Sequence, residues 1–187
     1  MVFDGGDVRQ VLVAALGDEV GLGHDGHAEV PEVGHVVVGH DGGVFDAVQR
    51  VGARVPQRGD QYLTDVPAAE HHELWRVASL RSAGVKVALS TDMPFGEGDP
   101  WATMRAAVHR TTAGGAVLGP DECVSAREAL TMFFGTSGQP TDPRAIQPGQ
   151  PGDLCVLAAP PAEVLDELDY HMVAATVVAG EVVFERG

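Results

Sequence analysis

From about Arg58 onward the apolar positions fall into orderly patterns. In "AAEHHELWRVASLRSAG", Leu74, Val77 and Leu80 recur at helical spacing, and Gly84 is a natural stop just past the last turn. This predicts one helix over 68–83. "VKVALS" (85–90) predicts a buried strand. "DPWATMRAAVHRTT" predicts a second helix, with Asp99 as N-cap, Pro100 at the first helical position, and Trp101, Met104 and Val108 along one face. "SAREALTMFFG" opens on a capping box, Ser125 with Glu128, and stops at Gly135. "DLCVLAA" predicts a short strand, and "AATVVAGEVVFERG" two strands joined at Ala179-Gly180-Glu181. Helix, strand, helix, helix and then strands is the order expected at the end of an α/β barrel that runs into a small β element.

Residues 1–57 read differently. They contain no Ser, Thr, Lys, Ile, Trp or Tyr, and apart from Met1, Phe3 and Phe45 every residue type can be encoded by codons beginning with G or C. Hydroxyl residues normally supply caps and turns, so their absence is unusual in a folded segment. "VLVAAL" and "VGHVVVGH" have the composition of short strands, but helix starts and stops are missing. The expectation is that 1–57 stands outside the evolved fold, as a non-native or disordered segment.

Composition narrows the function classes. The chain has 187 residues, and a hydrophobic content of 44% is too high for a disordered tail. A formal net charge of −15 opposes binding to nucleic acid or to anionic membranes. No apolar run reaches membrane-spanning length, and the N-terminus lacks the basic start and apolar core of a signal peptide, so the expected location is the cytoplasm. Cys123 and Cys155 have no metal-ligand spacing and are expected to be buried free thiols.

The candidate chemistry centres on Asp92. It follows the apolar strand directly, and in parallel α/β folds catalytic residues collect at the carboxyl ends of strands. A carboxylate there can bind a divalent metal or take a proton from water. Position alone leaves a plain turn cap equally open. His24, His27, His35 and His40 lie in the N-terminal region with no helix or strand to fix them. His71 and His72 are expected to be solvated. His109 lies just beyond an apolar stripe, and His171 sits in "DYHMV". No pair among them has a convincing metal-site spacing. "FGEGD" and "TAGGAVLG" carry no phosphate-binding spacing. Ser137 in "FGTSGQP" follows a helix, not a strand, which argues against a nucleophile elbow. The Trp and Phe residues at helical spacing read as core.

Taken together, "RGDQYLTDVP", "VALSTDMPFGEGDPWATMRAAVHRTT", "SAREALTMFFGTSGQP" and "IQPGQPGDLCVLAAPPAEV…VVAGEVVF" resemble the C-terminal part of the metal-dependent amidohydrolase superfamily, in its family 3 branch. That branch includes N-acyl-amino-acid and formamide-type hydrolases. The resemblance covers roughly residues 58–184. It implies a C-terminal fragment of a TIM-type (β/α)8 barrel (58–150), followed by strands of a small β-sandwich (151–187). It also implies hydrolysis of a non-peptide carbon–nitrogen bond in a small amide-type substrate by metal-activated water. The metal would be divalent, with zinc the expected ion. Asp92 matches the family's strand-eight aspartate, which contacts the metal and acts as general base. No other cofactor site is implied.

The family's HxH pair, its mid-barrel carboxylate and its further His ligands have no counterpart in place here. The chain is therefore expected to be a truncated, inactive fragment that does not retain the metal, with exposed strand edges prone to self-association. The alternative is a non-catalytic acidic domain that associates with a partner chain.

Overall fold

The computed structural model describes residues 11–12, 46–49, 51–91, 98–136 and 139–187. Their architecture is mixed helix and strand. Strand β1 (Val11–Leu12) and strand β2 (Asp46–Gln49) come first, followed by helix α1 (Val51–Asp65). Helix α2 (Ala78–Ser82), strand β3 (Lys86–Leu89), helix α3 (Pro100–His109) and helix α4 (Ala126–Thr131) make the middle. Strand β4 (Leu154–Leu157), helix α5 (Pro161–Glu167), strand β5 (Val173–Val178) and strand β6 (Glu181–Glu185) complete the order.

Two sheets result. β2 and β3 pair in parallel, with Asp46 opposite Lys86 and Gln49 opposite Leu89. The second sheet is antiparallel in the order β1-β4-β5-β6. The expected boundary at residue 57 falls inside α1. β1 and β2, which also lie in the compositionally odd region, pair with β4 and β3 respectively.

Local chemistry explains the elements that were predicted. Asp99 accepts a hydrogen bond from the Trp101 amide at 2.8 Å, and Pro100 opens α3. The capping box of α4 is formed in both directions. The Glu128 amide donates to Ser125 Oγ at 3.3 Å, and the Ser125 amide donates to Glu128 Oε2 at 2.9 Å. The β5–β6 turn has positive φ at both Ala179 and Gly180 (51° and 84°), the backbone twist that a two-residue hairpin requires. Asp153 holds the turn through Ala179 N–H at 2.8 Å. Val182, Val183 and Phe184 on β6 are exposed.

Two expectations need correction. The single helix over 68–83 is instead a 3-10 turn at Ala68–Glu73, a break at 74–77, and the short α2. Trp75, at the break, has φ 48° and is buried. Its helical-looking neighbours point into the core, because buried groups from later in the chain hold the backbone of 74–79. Helix α5 was not foreseen at all. Its Pro160-Pro161 start and only two strong apolar anchors, Val164 and Leu168, hide its period.

The core gathers Val55 from α1, Trp75 and Val77 from the break, Trp101 and Met104 from α3, and Leu118 from the following loop. Tyr62 packs edge-on against Trp75 with ring centroids 4.6 Å apart. α1 is also pinned by polar contacts. Asp60 accepts from Thr112 Oγ1 at 2.5 Å and from the Gly114 amide at 2.7 Å.

After α4 the chain turns so tightly that a Cβ on Gly135 would lie on the backbone of Pro140, well inside van der Waals contact. Neither partner is a flexible side chain. Gly135→Ala is expected to cost about 2–3 kcal/mol. A lowered urea midpoint with unchanged slope checks it; an unshifted midpoint would contradict the packing described.

Candidate functional site

Because β2 and β3 are parallel, their carboxyl ends share one edge of the sheet. Val87, Ala88 and Leu89 are buried, while Lys86 at the opposite end is exposed. Ser90 and Thr91 are half-buried at the carboxyl edge. Asp92, the one residue expected to serve both as catalytic base and as metal ligand, is next in sequence and lies outside the described residues. The Leu89 amide donates to Met132 O at 3.1 Å, so the end of β3 is tied to the end of α4. Asp99 is the N-cap of the next helix, α3. Arg105 on that helix lies 3.7 Å from Asp99 and 3.5 Å from Asp169, and it donates to Leu168 O.

Two buried charges that bind the stretch before β3 were not singled out by sequence reasoning. Arg110 is fully buried at the C-terminus of α3. Its guanidinium donates through Nε to Leu118 O at 2.5 Å, through Nη1 to Trp75 O at 3.1 Å, and through Nη2 to Leu74 O at 2.8 Å. Glu122 is 5% exposed, and its Oε2 accepts from the amides of Val77 at 2.7 Å and Ser79 at 3.1 Å. Burial lowers the Arg110 pKa, while the Cys123 and Glu122 charges oppose that shift. For Glu122, burial pushes the carboxyl up. The Ser79 and Val77 hydrogen bonds and the Arg110 charge outweigh it, so Glu122 sits below its ordinary value.

One clue was available in the sequence. Arg110 follows α3 in "AAVHRTTAGG" at a left-handed cap position, where a Gly would be usual. The carbonyls it meets are distant in sequence, and nothing local announces them.

The described histidines do not converge. His71 Nε2 is 2.9 Å from Val66 O, His72 is exposed and pairs with Glu73 at 3.0 Å, and His109 is exposed. His171 stacks on Tyr170 at 4.0 Å. His24, His27, His35, His40 and Ser137 lie outside the described residues. Among the described residues no three His, Cys, Asp or Glu side chains are placed to hold a metal, so these residues alone do not fit a divalent ion. Both cysteines are free. Cys155 is buried and pushed up to about 11 by burial, which makes it inert, whereas Cys123 is only half-buried. Trp75, Trp101 and Phe134 are core residues, as their spacing implied.

The amidohydrolase family model matches residues 34–184. The chain belongs to the amidohydrolase family. Members of this family are generally metal-dependent hydrolases, and the match reaches back into the compositionally odd N-terminal region. A relative, the N-substituted formamide deformylase of Arthrobacter pascens, is 38% identical over 122 residues, which cover 63% of this chain. The chain spans only 22% of that relative's length. The solved structure of E. coli guanine deaminase is 17% identical, with a TM-score of 0.46 over 76% of this chain and 39% of that one. No helix among the described residues of this family member is long and apolar enough to cross a membrane.

The Glu122 carboxylate makes a direct pH prediction. Its folded pKa is depressed, so its contribution is present above the ordinary carboxylate range, about pH 4.3, and is lost as pH falls through the folded value. Glu122→Gln is expected to lower stability at pH 7 by about 1–2 kcal/mol. The gap to the unsubstituted chain should narrow below about pH 4 as Glu122 protonates. Urea unfolding at pH 7 and pH 3 measures both; a gap that widens in acid would reverse the assignment.

Proposed function

We propose that this chain supplies the strand-eight edge of an amidohydrolase site that hydrolyses the carbon–nitrogen bond of a small amide-type substrate. The observation that carries this reading is the family match across 34–184, which includes the parallel β2–β3 pair and the "STD" that follows β3 in sequence. In this reading β2, β3 and the helices between 51 and 131 are barrel units, and β4–β6 belong to a small β-sandwich. The relative acting on N-substituted formamides supports formamides as a first substrate class to try.

Asp92 is the general base in this proposal. It accepts a proton from the attacking water and returns it to the leaving amine, so the C–N bond breaks without expelling an amide anion. The family's metal, zinc by resemblance, would polarise the substrate carbonyl. The described side chains do not form its site by themselves, so its other ligands must come from elsewhere. The non-catalytic acidic-domain reading has no observation in its favour, because a family match of this extent already accounts for the strands and helices.

The test uses a chimera. Residues 58–184 replace the matching segment of the Arthrobacter pascens deformylase, and formate release from an N-substituted formamide is followed. The chimera is expected to hydrolyse the substrate, and Asp92→Asn to lower kcat at least about 100-fold. Equal turnover by the Asp92→Asn chimera would sink the assignment of the base.

A further inference from the structure

The segment from Arg110 to Met132 touches the stretch leading to β3 at successive points. Arg110 takes the carbonyls of Leu74 and Trp75. Glu122 takes the amides of Val77 and Ser79. Glu128 lies 2.9 Å from Arg81 on α2, and Met132 O accepts from the Leu89 amide at 3.1 Å. The last of these is three residues before Asp92 in sequence. The first two are buried and of opposite sign, a guanidinium on carbonyls and a carboxylate on amides, so each peptide group is matched to the charge its dipole favours.

This grip has to hold something that local sequence resists. Trp75 is a bulky residue at φ 48°, a region costly for any side chain with a Cβ. Its carbonyl is one of Arg110's acceptors. α2 has only five residues, too few to be stable alone, and neither its N-cap Val77 nor its first turn carries an acidic side chain. Glu122 takes that place from another element. A break held at both ends sets where α2 starts. Gly84 (φ 85°) then leads into β3, whose Leu89 lies opposite Gln49.

We infer that Arg110 and Glu122 are positioning residues for the carboxyl edge of β3: they hold the break at 74–79 and, through α2, the strand up to its end at Leu89. A catalytic consequence of this positioning rests on the hydrolase reading above; the mechanical coupling from Arg110 and Glu122 to β3 does not.

Hydrogen–deuterium exchange on the whole chain tests the coupling. Arg110→Lys keeps the charge and loses the planar fork. Glu122→Gln keeps one acceptor oxygen and loses the charge. In both variants the amides of 86–89 are expected to exchange at least tenfold faster, with those of 173–178 within twofold of the unsubstituted chain. Equal acceleration in both segments, or none in 86–89, overturns the inference. Should Arg110→Lys fail to fold, Glu122→Gln decides alone. In the deformylase chimera, Arg110→Lys is expected to lower kcat about tenfold at constant KM. An inactive parent chimera would remove the hydrolase reading and leave the exchange result standing.

Discussion

A buried guanidinium with no carboxylate directly upon it among the described residues finds its partners among backbone carbonyls, and the arrangement around Arg110 reflects that requirement. Leaving its donors unmet inside the protein would cost several kcal/mol. The loop that contains Leu118 therefore folds back over α3, and the chain at Leu74 and Trp75 bends to present two carbonyls to one side chain. Glu122 adds the complementary half on the amide side of the same bend. The left-handed backbone of Trp75 and the start of the short helix α2 lie where these two charges bind the chain.

The rest of the molecule is arranged about that fixed bend. α1 lies against α3; the Tyr62–Trp75 contact ties it to the bend, and Asp60 reaches Thr112 and Gly114 just past α3. β3 is then laid parallel to β2, which places both carboxyl ends on one edge. The antiparallel sheet depends on other contacts. Arg144 bonds Asp153 at 3.1 Å, and the same carboxylate holds the Ala179 amide at the hairpin turn. A single aspartate thus connects the loop after α4 to the β5–β6 turn.

Much of the local structure was legible in residue order. Asp99-Pro100, the Ser125/Glu128 box and Ala179-Gly180 are short-range devices whose partners lie within four residues, so their geometry follows from spacing alone. The stretch 68–83 was misread because Leu74, Val77 and Leu80 do face the core, but from a broken backbone. A 3.6-residue period cannot distinguish a helix from a bend whose side chains converge. α1 was obscured by the unusual composition up to residue 57, although Val55 is buried in the core.

The candidate site divides along the same line. Residue order determined strand β3, the caps, the hairpin and the family, because each is carried by neighbours in the chain or by an ordered set of short motifs. Only the tertiary structure decided that Arg110 and Glu122 govern the stretch before β3. Their acceptors and donors lie 35 and 36 residues away for Arg110, and 43 and 45 for Glu122. Which distant peptide groups a buried charge will meet depends on how the whole core closes, and that information is absent from any local window of the sequence.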